Sequence, residues 1–241
     1  MEKLLYPLWK PEALDVDSFR DGLLNGLCER LRSAAPVHGL RLAVADTAVA
    51  AAAGRRMESH APPPDALLSV WLDYAAAAGP LEPLIGEYAA RYGQYLVCEA
   101  EPLVSRQRHP SAPGERVYGM CQVVFMTPPA ELAREDWLAL WKDSHTQVAI
   151  DTQSTFGYRQ NLVVRGRGAH SKTSPPIVEE NIPPEAMHDD HAFYATGGDE
   201  SVLKRHMTAM MESCARFIDL TKIDVVPMSE YLVKPLLPSA Q

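Results

Sequence analysis

Two successive stretches of the chain carry the same order of apolar and polar patterns. Lys3 to Trp9 alternates, is strongly apolar and runs up to Pro11, as a strand does. From Val16 to Leu31 the residues Phe19, Leu23, Leu27 and Leu31 recur every four positions, with Asp15 or Asp17 as cap, which predicts an amphipathic helix. Gly39 to Ala45 alternates as a second strand, and the Ala-rich stretch from Asp46 to Arg56 reads as a helical excursion. After Pro62-Pro63-Pro64, a third strand is expected over Ala66 to Leu72, a helix over Leu81 to Tyr92 and a fourth strand over Gln94 to Ala100.

The pattern restarts beyond a Pro- and Gly-containing linker, 105–115. A strand is expected over Tyr118 to Met126, a helix from Glu135 to about Ile150 and a strand over Tyr158 to Val164. A polar loop from Arg165 to Glu185, a strand over His191 to Thr196, a helix over Glu200 to Ile218 and a last strand over Asp224 to Val233 complete the series. One offset, 118 residues, separates both Phe19 from Trp137 and Gly39 from Gly157, which argues for duplication. The simplest parse is α+β, with two βαββαβ halves at 1–104 and 116–241.

The second half carries the densest candidate chemistry. Trp137, Leu140, Trp141 and Val148 stack on one helix face, and His145, four residues after Trp141, projects from nearly the same face. Past Gly157 the chain alternates, with Tyr158, Gln160 and Leu162 on one side and Arg159, Asn161 and Val163 on the other. Alternation sends only one of these sets inward, and the pattern does not say which.

This Trp-x-x-x-His helix followed by Gly-Tyr-Arg-Gln-Asn resembles the EthD-like family of the ferredoxin-like dimeric α/β-barrel superfamily. The resemblance rests on Trp141, His145, Tyr158, Asn161, Asp189 or Asp190, and Phe217-Ile-Asp219, and it spans the second half of the chain. It implies two tandem ferredoxin-like βαββαβ units packing sheet to sheet as an intrachain dimeric α/β barrel, able to form a homodimer. Aligned by order, Leu27 stands where the second half has His145, and Leu40-Arg41-Leu42-Ala43 where it has Tyr-Arg-Gln-Asn. One pocket per chain, in the second half, is expected.

Composition removes several function classes. An apolar fraction of 46% with 22% charged residues is ordinary for a globular protein. A net charge of −8 gives no footprint for nucleic acid or an anionic membrane. Cys28, Cys98, Cys121 and Cys214 form no Cys-x-x-Cys pair, so neither a zinc ribbon nor a redox dithiol is suggested. Without a signal-peptide core or an apolar run of about eighteen residues, a cytoplasmic location is the default. No dinucleotide, nucleoside-triphosphate or serine-hydrolase motif occurs.

His145 is the leading acid-base candidate, because an imidazole gives or takes a proton near neutral pH; its plainer role is a helix histidine making one hydrogen bond. Tyr158 or Asn161 could steady an oxyanion, with Arg159 and Gln160 as further donors. Asp190 or Asp189 would orient the imidazole or act as partner acid. His188, Asp189, Asp190 and His191 are also conceivable metal ligands, but neighbours on an extended chain point to opposite faces, so no metal and no cofactor is expected. Trp141, His191 and Phe193 complete the expected substrate-binding set; Phe193 stands where the family usually has an acidic residue. Trp137 and Trp141 suit core packing better than stacking platforms. The 165–185 loop is expected to fold over the pocket mouth, with His170 and Lys172 as contacts.

The resemblance implies a cofactor-independent lyase or isomerase acting on an apolar aromatic, polycyclic or polyketide-like small molecule. A cofactor-free monooxygenase is the second reading. A non-catalytic small-molecule-binding accessory protein of a catabolic oxygenase system is the third.

Overall fold

A computed structural model describes residues 1–59, 62–167 and 176–236. Eight strands close into an antiparallel ring: β1 (Glu2–Trp9), β2 (Val37–Val44), β3 (Ala66–Leu72), β5 (Gln94–Leu103), β6 (Met120–Phe125), β7 (Gly157–Arg167), β8 (Ile177–Ile182) and β9 (Asp224–Lys234). The order is β3-β2-β9-β6-β8-β7-β5-β1, and β1 pairs with β3 to complete the circle. The two-residue β4 (Arg91–Tyr92) lies on the end of β1. Strands from the first part of the chain are ordered β5-β1-β3-β2 and those from the second β9-β6-β8-β7; the β2–β9 and β5–β7 pairings join them.

Strand alternation gives the sheet two differently filled faces. Inside, Leu5, Ala43, Leu67, Val97, Val123, Val163, Ile177 and Val226 meet in one apolar cluster drawn from all eight ring strands. Two residues further along several of these strands the lining becomes ionic. Arg159 pairs with Glu179 at 3.2 Å and with Glu230, while Lys3 reaches Glu179 at 3.0 Å, Asn161 Oδ1 at 2.8 Å, and Glu99. Burial would raise the Glu179 carboxyl, but Lys3 and Arg159 outweigh it and hold the group far below its ordinary range.

Outside, the sheet is covered by helices. The first helix runs through α1 (Val16–Gly22), a π-helical turn at Leu23–Cys28, and α2 (Glu29–Arg32); Asp15 caps it by accepting from the backbone N–H of Asp17 and Ser18. With α3 (Glu82–Tyr88) it covers β1–β3. The second runs through α4 (Arg134–Leu138), a π-helical turn at Ala139–His145, and α5 (Thr146–Thr152). It packs beside α7 (Glu200–Ala215), whose cap Asp199 accepts from Ser201 and Val202 N–H.

The segment after β7 departs from the sequence pattern. In place of an unstructured loop over 165–185, β7 extends to Arg167 and Ile177–Ile182 is a buried central strand. The strand expected over His191 to Thr196 is instead the short helix α6 (Asp190–Phe193) and a turn, with Ala195 at positive φ. The sequence Ile-Val-Glu-Glu-Asn-Ile looks like a surface loop because half of it is polar. Its polar side chains are buried against partners from distant strands. His170 and Lys172 lie outside the described residues.

Candidate active site

Between the outer face of the sheet and the two helices of the second half lies a cavity of about 280 Å³. Its floor follows from strand register. Tyr158 on β7 stands opposite Glu180 on β8, and Glu180 opposite Gln122 on β6, so three polar side chains form one row on the outer face. Two residues on, the row is Gln160, Val178, Val124 and Val225. Met126, Phe193, Met210, Ile218 and Ile223 add further apolar wall.

The roof comes from the helix. Trp137 and Trp141 are buried, with rings 5.0 Å apart, and Trp137 Nε1 donates to the Phe217 carbonyl at 3.0 Å. The π-helical turn ends at His145, bringing Trp141 and His145 into the same cavity wall; such turns often occur at functional sites. His145 Nδ1 is 2.9 Å from Ser213 Oγ on α7, and its ring lies 4.7 Å from that of Phe217. Burial pushes this imidazole down to about 4, so it is neutral at pH 7.

Glu180 behaves in the opposite sense. It is 6% exposed, its hydrogen bond from Gln122 Nε2 is long at 3.5 Å, and burial pushes its carboxyl up to about 7. An apolar cavity thus holds a carboxylate poised between its two protonation states. Burial raises the Tyr158 hydroxyl as well, keeping it protonated; it accepts from Gln160 Nε2 at 3.1 Å, and Gln160 also donates to Thr146 Oγ1 at 2.7 Å. Trp141 Nε1–H, on the cavity wall, is directed at that hydroxyl and has no partner of proper hydrogen-bond geometry among the described residues.

The site residues expected from sequence divide into three groups. His145, Trp141, Tyr158 and Phe193 line the cavity, and Gln160 supports Tyr158. Arg159 and Asn161 point into the barrel, on the opposite face of β7, where they serve the ionic network. Asp189 caps α6, Asp190 pairs with Arg55 at 2.7 Å, and His191 contacts Thr196 and Glu200; none of the three is among the residues that line the cavity. Asn161 and Asp190 therefore do not meet His145.

Glu180, Gln122, Gln153 and Arg55 line the cavity without having stood out in the sequence. The available signal was the period of Ile-Val-Glu-Glu-Asn-Ile, readable as a strand once buried charges are admitted. Gly157 is required by close approach: a Cβ there would meet Asn181 Oδ1 at 2.5 Å. Among the described residues, Cys121, Glu179 and Glu230 bring ligand atoms within 4.8 Å of one another. Arg159 already pairs with both carboxylates, so a guanidinium holds the place a cation would take.

No protein-family model matches the chain, and no curated protein matches it. Solved structures do. An anthrone oxidase-like protein is 11% identical, with a TM-score of 0.57, over 100% of this chain and 96% of its own. A protein described as a candidate monooxygenase from Lactobacillus acidophilus NCFM is 9% identical at TM-score 0.47, over 98% of this chain and 99% of its own. A dye-decolorizing peroxidase from Bacteroides thetaiotaomicron is 8% identical at TM-score 0.48, over 96% and 93%. At such identity the likeness is one of fold alone, an α+β chain with an eight-stranded antiparallel barrel.

Proposed function

We propose that this protein is a cofactor-independent enzyme that removes a proton from an apolar aromatic carbon acid and lets the carbanion react with dioxygen, as a monooxygenase. The observation that carries the reading is Glu180, a buried carboxyl raised to about 7 inside an apolar cavity that also holds a protonated phenol and the indole N–H directed at it. A base with a pKa near the working pH has both the right protonation state and enough driving force.

In this mechanism ionised Glu180 takes a proton from a ring CH2 whose carbanion is conjugated, through the flanking aromatic rings, with a carbonyl. The charge moves to the carbonyl oxygen, where Tyr158 O–H and Trp141 Nε1–H stabilise it. The carbanion gives one electron to dioxygen, the two radicals join at the same carbon, and the hydroperoxide takes the proton held by Glu180. Loss of water leaves a carbonyl, so that CH2 plus O2 becomes C=O plus H2O. An anthrone-type substrate has the required acidity and flatness, and the anthrone oxidase-like neighbour shares the fold. His145, neutral near pH 7 and within hydrogen-bond distance of Ser213, shapes the wall and does not hold the proton.

The same base also serves an isomerase or lyase if the proton returns to another carbon; titration near neutrality favours proton return as well as removal. The strand orders β5-β1-β3-β2 and β9-β6-β8-β7, and the π-helical turns at Leu23–Cys28 and Ala139–His145, support two tandem ferredoxin-like units, the second EthD-like at Trp141, His145 and Tyr158.

Oxygen uptake with anthrone as substrate tests the reading. One O2 consumed per quinone formed is expected, with kcat/KM rising to a plateau above about pH 7. Glu180→Gln should lower kcat by about 10²–10⁴-fold. Turnover without oxygen uptake selects the isomerase or lyase, and a Glu180→Gln enzyme within a few-fold of wild type removes Glu180 as the base.

A further inference from the structure

The cavity's lining carries one charged group that the proton transfer does not use. Arg55 closes the 3-10 segment Thr47–Arg55, which belongs to the first half of the chain, yet its side chain lines the second half's cavity. It is fixed on three sides. Nε donates to the Ala186 carbonyl at 2.9 Å, Nη1 donates to Asp190 at 2.7 Å, and the guanidinium carbon lies 4.4 Å from the centre of the Phe193 ring. Nη2 donates to no partner among the described residues.

We propose that Arg55 is a carboxylate-reading subsite, so that the substrate is an aromatic acid whose flat body fills the cavity and whose carboxylate meets the free edge of this guanidinium. The proposal deepens the reading above and rests on the same cavity being the substrate site. A planar guanidinium already held by a carbonyl, a carboxylate and an aromatic face loses little freedom on binding a second anion. Its Asp190 partner has a side chain 54% exposed against 16% for Arg55, so the ion pair faces water on the Asp190 side. The cavity's walls are otherwise apolar apart from the Glu180 row, His145, Gln153, Trp141 and Tyr194. A neutral hydrocarbon would leave the Arg55 edge unused. A carboxylate would form the charge-assisted bond for which that edge is pre-set.

The test compares 2-naphthoate with 2-naphthamide, two probes of the same shape, by calorimetric titration at pH 6, where the naphthoate is ionised. Wild-type protein should bind the carboxylate about tenfold more tightly than the amide. Arg55→Gln should abolish the preference while holding amide affinity within a few-fold. Arg55→Lys, which keeps the charge but not the fork, should reduce it severalfold, and carries the test if the glutamine variant does not fold. Equal affinity of wild type for the two probes, a preference that survives both substitutions, or no binding of either probe overturns the proposal. A carboxylate preference that depends on Arg55 in a protein showing no oxygen uptake with any aromatic acid would overturn the oxygenase reading and leave this subsite standing.

Discussion

The two helix-covered faces of the barrel share a register and differ in what stands on it. In the second half Tyr158, Glu180 and Gln122 lie side by side across β7, β8 and β6. In the first half the same relation across β2, β3 and β1 joins Leu40, Val70 and Leu4, each with no exposed surface. Above them Leu27 stands where the second helix has His145, and it too is fully buried. One face is closed with aliphatic side chains; the other keeps a cavity and a raised carboxyl. The first face thus supplies burial, and the second gives up burial to hold a charge.

The comparison can be broken most severely from either side. Trp141→Ala should cost about 3–5 kcal/mol by opening the roof of the cavity, read as a lower urea midpoint. Val70→Glu, which copies the Glu180 position into the filled half, should cost at least as much, about 3–5 kcal/mol, because no partner or space awaits the charge. An unchanged melting temperature for Val70→Glu would mean that the first half is as permissive as the second.

The next effect has the opposite sign. Glu180 has a folded-state pKa above its unfolded value, so the unfolded chain ionises first and the folded state loses stability as pH rises from about 4.5 to about 7. Glu180→Gln should therefore stabilise the protein by about 3 kcal/mol at pH 8 and by almost nothing at pH 4. A variant no more stable than wild type at pH 8 would show that ionisation of Glu180 costs little. The smallest effect belongs to His145. Its folded pKa lies below the unfolded value, so stability is lost as pH falls from about 6.5 toward about 4. Through His145 the loss between pH 7.5 and pH 5 should be about 2 kcal/mol, and His145→Gln should remove it. Parallel pH curves for the two proteins would assign the acid sensitivity elsewhere.

Sequence alone determined what depends on local pattern. The period of Phe19, Leu23, Leu27 and Leu31 and that of Trp137, Leu140 and Trp141 placed both long helices, and alternation placed β1, β2, β3, β5, β6, β7 and β9 within a few residues. The 118-residue offset also set Leu27 against His145, so the asymmetry between the halves was legible before any coordinates. It could not reveal β8, because hydrophobic patterning assumes that Glu179, Glu180 and Asn181 face water. Their burial depends on Lys3 and Arg159 arriving from strands 176 and 20 residues away, and on a cavity that exists only once α4, α5 and α7 lie on the sheet. Nor could it say which side of β7 meets the helices, since alternation fixes two faces and names neither. Closure of the barrel made that choice. It turned Arg159 and Asn161 into the ionic interior, left Tyr158 and Gln160 beside His145, and set Arg55 of the first half at the second half's cavity, because packing brings together residues that no spacing along the chain connects.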